Sequence, residues 1–354
     1  MRNVDELYMR RCLQLARCGA GSTSPNPMVG AVIVCDGRII GEGYHIRAGD
    51  PHAEVNAVNS VLGEDLPLLS RSTMYVTLEP CSHYGKTPPC CDMIIARGIA
   101  RVVIGSVDPN TQVNGAGIER MRAAGIDVTV GVLEEECLRL NRAFFTSQVC
   151  RRPYVTLKWA QSTDGYIDLL RDSGQAVRIS SSVSQVAVHK LRAQHDAILV
   201  GRHTALLDNP SLDIRHWAGR APLRLVIDKN GSLPAGLRVF DGVLPTVVYT
   251  ACRKDDKFGK NVEQIVLDFE APVIPQILRH LHSVKINSLL VEGGATVLQS
   301  FINASLWDEV RVEINPSLEL GNGVVAPFFS LGSPDWREML AGNEILLFYN
   351  KKTP

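Results

Sequence analysis

The sequence predicts an α/β protein of two domains, and three observations predict it. At 354 residues the chain is longer than one hydrophobic core usually serves. In both halves, short runs rich in β-branched residues alternate with stretches whose apolar residues recur at helical spacing. Between the halves the alternation breaks: a polar stretch opens on Glu134-Glu135-Glu136, the start of a solvated helix, and ends in Arg151-Arg152-Pro153. Placing the boundary near 147 gives domains 1–147 and 148–354.

In the first domain, Asn3 with Glu6 resembles a capping box, and Val4, Leu7, Tyr8, Cys12, Leu15 and Ala16 recur at helical spacing. Ser24-Pro25-Asn26-Pro27 is a rigid turn ahead of the buried-strand pattern Val29 to Val34. Asp36-Gly37 predicts a hairpin returning to Tyr44. Helices 52–62, 91–97 and 116–124 then alternate with strands 73–78, 101–107 and 127–132, which predicts a largely parallel second part. In the second domain, strands near 154–160, 196–200, 223–228, 246–250, 287–292, 308–314 and 344–349 alternate with helices 181–194, 273–283 and 295–304. Leu289 to Thr296 is a strand running into paired glycines at a helix start, which can offer backbone N–H groups to a phosphate.

Composition excludes several classes. Basic and acidic residues number 37 each, and residues 1–147 carry 14 basic against 16 acidic. Neither half is a basic module for nucleic acid. No apolar run approaches the roughly 20 residues that span a bilayer, and the opening Met1 to Glu6 lacks a signal-peptide core. Nine scattered cysteines argue against a secreted disulfide framework. A cytoplasmic enzyme is expected.

The chemistry concentrates in His52-Ala53-Glu54 and in Pro80 to Cys91. A histidine, an acid two places on and two later cysteines behind prolines resemble the signature of zinc-dependent base deaminases. His52, Cys81 and Cys90 offer one neutral and two thiolate ligands, and two thiolates balance the dication in a low-dielectric pocket. Cys90 opens an apolar helical run, where a helix N-terminus favours its thiolate. Glu54 is then free to move protons: zinc lowers the pKa of its water to roughly 7, and the carboxylate passes that proton to a ring nitrogen and to departing ammonia. A structural zinc site would instead take Cys91 or His83 as a fourth ligand, and Cys91 is an alternative to Cys90.

Taken together the motifs resemble the bifunctional riboflavin-biosynthesis deaminase/reductase family. The resemblance rests on Ser24 to Gly30, His52 to Glu54, Thr77 to Cys91, Leu157 to Gly165, Leu191 to Gln194, Asp208 to Leu212 and Val291 to Gly294. Eight residues between the two cysteines, where generic deaminases have two, sharpen it. The family implies a cytidine-deaminase-like three-layer domain followed by a dihydrofolate-reductase-like domain. It implies zinc-hydroxide deamination of 2,5-diamino-6-ribosylamino-4(3H)-pyrimidinone 5′-phosphate, then NADPH reduction of the ribosyl chain to ribityl. By resemblance Asn26, His45, Lys86, Asp108 and Asn110 hold the deaminase substrate, and Lys158, Arg192, Leu212, Arg215 and Glu292 face the reductase substrate. Ala160, Thr204, Asp208, Gly294, Ala295 and Thr296 meet the dinucleotide. One Zn2+ per chain, NADPH and a homo-oligomer are expected.

One stretch departs from the family. Many members carry Gly-Glu-Ser-Gln-Trp where this chain has Gly174-Gln175-Ala176-Val177-Arg178, so a hydroxyl and an aromatic plane are missing. Arg178 can stack or grip a phosphate in their place. Two other functions compete: an RNA adenosine deaminase, disfavoured by the neutral halves, and a deaminase fused to a nucleotide-binding domain without turnover.

Overall fold

The structure is a computed structural model that describes residues 2–84, 88–109, 115–172, 174–254, 257–330 and 332–351. Two compact units make up the chain, Met1–Cys150 and Arg151–Pro354.

The first unit runs α1 (Arg2–Arg17), β1 (Gly30–Cys35), β2 (Arg38–Tyr44), α2 (Ala53–Asn59), a 3-10 helix (Gly63–Arg71), β3 (Thr73–Leu78), α3 (Cys90–Ala96), β4 (Arg101–Ser106), α4 (Ala116–Ala123), β5 (Asp127–Val130), α5 (Glu134–Leu140) and α6 (Arg142–Cys150). Its sheet has the order β2-β1-β3-β4-β5. Asp36 and Gly37 both have positive φ, 50° and 78°, as the tight turn between β1 and β2 requires. β1 pairs antiparallel with β2 and β3, whereas β3, β4 and β5 run parallel. Every residue of β1 is buried because helices cover both faces. Ala57, Ile94 and Met121 from α2, α3 and α4 pack with Ile33, Met74 and Ile104 on one face. Met9 and Cys12 of α1 and Cys137 of α5 pack with Val32 and Val103 on the other.

The expected boundary at 147 falls inside α6, whose Phe145, Thr146 and Ser147 are buried. The helix therefore stays with the first unit to Cys150.

The second unit comprises β6 (Tyr154–Ser162), β7 (Tyr166–Asp168), α7 (Ser182–Ala193), β8 (Ala197–Gly201), α8 (Arg202–Asp208), β9 (Leu223–Ile227), a short 3-10 turn (Arg238–Phe240), β10 (Thr246–Thr250), β11 (Val262–Val266), α9 (Val273–Ser283), β12 (Ser288–Gly293), α10 (Ala295–Asn303), β13 (Glu309–Asn315), β14 (Val324–Val325), β15 (Trp336–Leu340) and β16 (Asn343–Tyr349). A nine-stranded sheet has the order β11-β10-β9-β8-β12-β6-β13-β16-β15, parallel from β11 to β13 and closed by antiparallel β16 and β15. Ile277 of α9 and Phe301 of α10 pack on one face, and Leu191 of α7 and Ala205 of α8 on the other. Sequence periodicity missed β11 and β15 for one reason: both are sheet edges with little buried surface, so they carry no burial pattern to read. Among the described residues no helix is long and apolar enough to cross a membrane.

Candidate active sites

The first site is set by how closely α2 lies on β2. A Cβ on Gly43 would come within 2.3 Å of the Ala57 nitrogen, and one on Gly41 within 2.4 Å of the Ala57 carbonyl oxygen. Only glycines allow that approach. His52 is the N-cap of α2 in an extended conformation, and Glu54 is the second helical residue. The bend between them lets two side chains that would diverge along a helix act at one helix end.

His52 Nδ1 lies 3.6 Å from Cys81 Sγ and 3.4 Å from Cys90 Sγ. These three ligand atoms all fall within 4.8 Å of one another, the one such group among the described residues. Bonds of about 2.3 Å to sulfur and about 2.0–2.1 Å to nitrogen in a tetrahedron hold N and S roughly 3.6 Å apart, so the trio fits zinc. Cys91 points elsewhere: it is fully buried in the core with Ile94 and Ala57. Neither Cys91 nor His83 belongs to the trio, which leaves three protein ligands rather than the four of a structural site.

The Cys90 amide at the start of α3 donates to Cys81 Sγ at 3.3 Å. The side-chain hydrogen bond from Cys90, helped by His52, pulls the Cys81 thiol down to about 4 despite burial, while the same bond and burial push Cys90 up. The Cys90 N–H at the start of α3 adds a smaller pull in the same direction on Cys81. The bond between His52 and Cys81 raises His52 to about 9. Glu54 is 3 % exposed. Burial drives its carboxyl up against the opposing pull of His52.

Asn26 and His45 join this site. The His45 ring stands edge-on to His52 at 5.6 Å between centroids. Its Nδ1 faces the Pro51 carbonyl at 3.2 Å, which can only accept, so Nδ1 carries the proton and Nε2 accepts from Asn26 Nδ2 at 3.2 Å. Burial lowers the His45 pKa and keeps the ring neutral. Asp108 is buried just beyond β4, where its N–H donates to Glu79. Lys86 and Asn110 lie outside the described residues. Glu79, adjacent to the Pro80-Cys81 motif, was not singled out from the sequence, since only the fold reveals that main-chain N–H groups converge on it.

The second site is a cleft of about 1150 Å³ in the second unit. It opens at the carboxyl ends of β8, β9 and β12, where open parallel sheets place ligands. Lys158, Arg192, Arg215 and Glu292 line it, as do Ala160, Thr204, Asp208, Gly294, Ala295 and Thr296. Leu212 is placed apart: its side chain is 2 % exposed and packs in the core with Leu191 and Val226. Arg192 and Glu292 face each other as a two-pronged pair, Nε to Oε1 at 2.9 Å and Nη2 to Oε2 at 2.6 Å. Burial opposes ionisation of Glu292, yet Arg192 and Lys158 together hold its carboxyl below the usual range. Burial likewise pulls Lys158 down against the attraction of Glu292 and Glu313. Ala176 and Arg178 lie at the cleft wall, and Arg171, unremarked in the sequence, joins Asp168 to Asp208.

A trio fit for zinc in a three-layer α/β unit, joined to a parallel-sheet unit with a cofactor-sized cleft, defines a two-domain deaminase and reductase. Comparison with known proteins agrees. Residues 2–106 match the family described as the cytidine and deoxycytidylate deaminase zinc-binding region, and residues 153–338 match the RibD C-terminal domain. The riboflavin biosynthesis protein RibD of Aquifex aeolicus is 42% identical over 328 residues, covering 92% of this chain and 90% of the relative. That of Escherichia coli is 40% identical over 332 residues, covering 89% and 88%. A crystal structure from Thermotoga maritima, of a diaminohydroxyphosphoribosylaminopyrimidine deaminase/5-amino-6-(5-phosphoribosylamino)uracil reductase, superposes with a TM-score of 0.89 at 37% identity, covering 98% of this chain and 99% of that one. The chain belongs to the RibD family of riboflavin biosynthesis proteins.

Proposed function

We propose that the first unit deaminates a diaminopyrimidine 5′-phosphate and that the second reduces the ribosyl chain of the resulting uracil with NADPH. The observation that carries this reading is the pairing of the His52, Cys81 and Cys90 trio with buried Glu54 in a chain that also holds the wide cleft. The trio would hold zinc, which when bound acidifies a water to a pKa of about 7. Glu54 would carry the two protons of the attacking water in turn, the first to the ring nitrogen and the second to the amino group that leaves as ammonia, while the water oxygen becomes the ring carbonyl. Asn26, His45 and Asp108, with Lys86 and Asn110, would hold the pyrimidine phosphate; neutral His45 offers the Asn26 amide a fixed acceptor.

In the second unit Lys158, Arg192, Arg215 and Glu292 would face the substrate, while Ala160, Thr204, Asp208 and the turn Gly294 to Thr296 would meet the dinucleotide. NADPH supplies the hydride. Glu292 can accept from ring N–H groups, and the cations suit a phosphate. Leu212, whose side chain is buried in the core and does not line the cleft, is left out of this set. All nine cysteines are free thiols, which suits a cytoplasmic compartment.

The test is zinc analysis of the purified chain with ammonia and NADPH assays on the pyrimidine phosphate. One zinc per chain and both activities are expected. A chelator should stop ammonia release while NADPH oxidation continues with the deaminated uracil as substrate. NADPH binding without oxidation would overturn the second half of the reading.

A further inference from the structure

Glu79 sits between the end of β3 and the ligand Cys81, two residues on, and its side chain is 3 % exposed. Among the described residues, four main-chain N–H groups converge on its carboxylate. Oε2 accepts from Asp108 at 3.3 Å and from Gly115 at 3.0 Å, while Oε1 accepts from Gly117 at 3.0 Å and from Ile118 at 3.3 Å. Its own N–H donates to the Ser106 carbonyl at the end of β4, 2.9 Å away. The start of α4 is pressed against the same segment: a Cβ on Gly117 would stand 2.5 Å from the Pro80 carbonyl oxygen and 3.2 Å from Glu79 Oε1.

A helix cap alone needs an acceptor for the N–H groups of one first turn. Here the carboxylate also reaches back to Asp108, at the other end of the connection between β4 and α4. A buried carboxylate that satisfies four amides is costly to disturb, because each amide left behind would be unpaired. One side chain therefore ties Asp108 and the start of α4 to the strand end that carries Cys81.

We propose that Glu79 is a positioning residue of the deaminase, fixing Asp108 relative to Cys81 so that the two hold the pyrimidine phosphate and the metal in register. This rests on the reading of the first unit as the deaminase. Small misplacements of a binding group cost about 10- to 100-fold in turnover efficiency, and here the loss should fall on substrate binding.

The test is Glu79→Gln in the full chain. The amide keeps the shape but replaces one acceptor oxygen with a donor that faces two N–H groups. Zinc content and NADPH oxidation should match the unaltered chain, while KM for the pyrimidine phosphate in ammonia release rises by about 10- to 100-fold. Gly117→Ala, which pushes on Pro80, should move KM in the same direction. Unchanged KM in both variants, or loss of zinc from Glu79→Gln, would overturn the proposal. Should Glu79→Gln fail to fold, amide exchange on the unaltered chain decides: the N–H groups of Asp108, Gly115, Gly117 and Ile118 should exchange slowly without substrate, and fast exchange there refutes a preset site. Failure of the unaltered chain to release ammonia would instead refute the deaminase reading itself.

Discussion

Arg192→Ala separates the two activities most sharply. Arg192 is buried against Glu292, with side-chain exposures of 14% and 10%, and a third donor goes to the Asp213 carbonyl at 3.1 Å. Truncation leaves the Glu292 carboxylate enclosed, with Lys158 and His189 nearby to balance part of its charge. Breaking one side of a buried pair costs about 3–5 kcal/mol. For a unit of about 200 residues this lowers its Tm by roughly 6–20 °C. Loss of charge-assisted bonds to the substrate, about 1.5–3 kcal/mol, should cut kcat/KM for NADPH oxidation by about 10- to 150-fold. The assays are thermal unfolding and NADPH oxidation, with ammonia release as the internal control. The double replacement Arg192→Met with Glu292→Leu removes both charges, so Tm should recover to within a few degrees while NADPH oxidation stays lost. An unchanged Tm in Arg192→Ala, or ammonia release falling in step with NADPH oxidation, would refute the reasoning.

Three further outcomes are expected. Glu54→Gln should keep one zinc per chain and lose ammonia release by about 100- to 10,000-fold; metal analysis beside the ammonia assay checks both, and zinc loss would contradict its role. Cys91→Ala should keep zinc and cost about 1 kcal/mol of stability, whereas Cys90→Ala should not hold zinc, as stoichiometry will show. Asp5 accepts from Arg101 at 2.9 and 2.9 Å and from the Tyr75 hydroxyl at 2.9 Å, and the Arg101 bonds hold its carboxyl below the usual range against burial. A depressed folded value contributes stability above the unfolded value of about 3.9 that is lost as pH falls through the folded one. Urea midpoints of the first unit should therefore drop between about pH 5 and pH 2, and Asp5→Asn should remove that part of the slope.

What the amino-acid order determined by itself was local or carried by fixed spacing. Alternating strand and helix patterns are visible because central strands such as β1 are wholly buried. The Asp36-Gly37 turn is legible because few residues take positive φ, and the trio with Glu54 because metal chemistry restricts its ligands to a few residue types. What only the tertiary structure decided depends on which groups meet across the chain. The exposed edges β11 and β15 leave no periodic trace, and α6 runs through the expected boundary because its contacts lie with the first unit. The Cys90 N–H at the start of α3 points at the Cys81 sulfur, nine residues back. Arg192 meets Glu292 across 100 residues, Leu212 turns into the core, and four distant amides gather on Glu79. Burial and hydrogen-bond partnership are properties of folded surroundings, and no spacing along a chain encodes them.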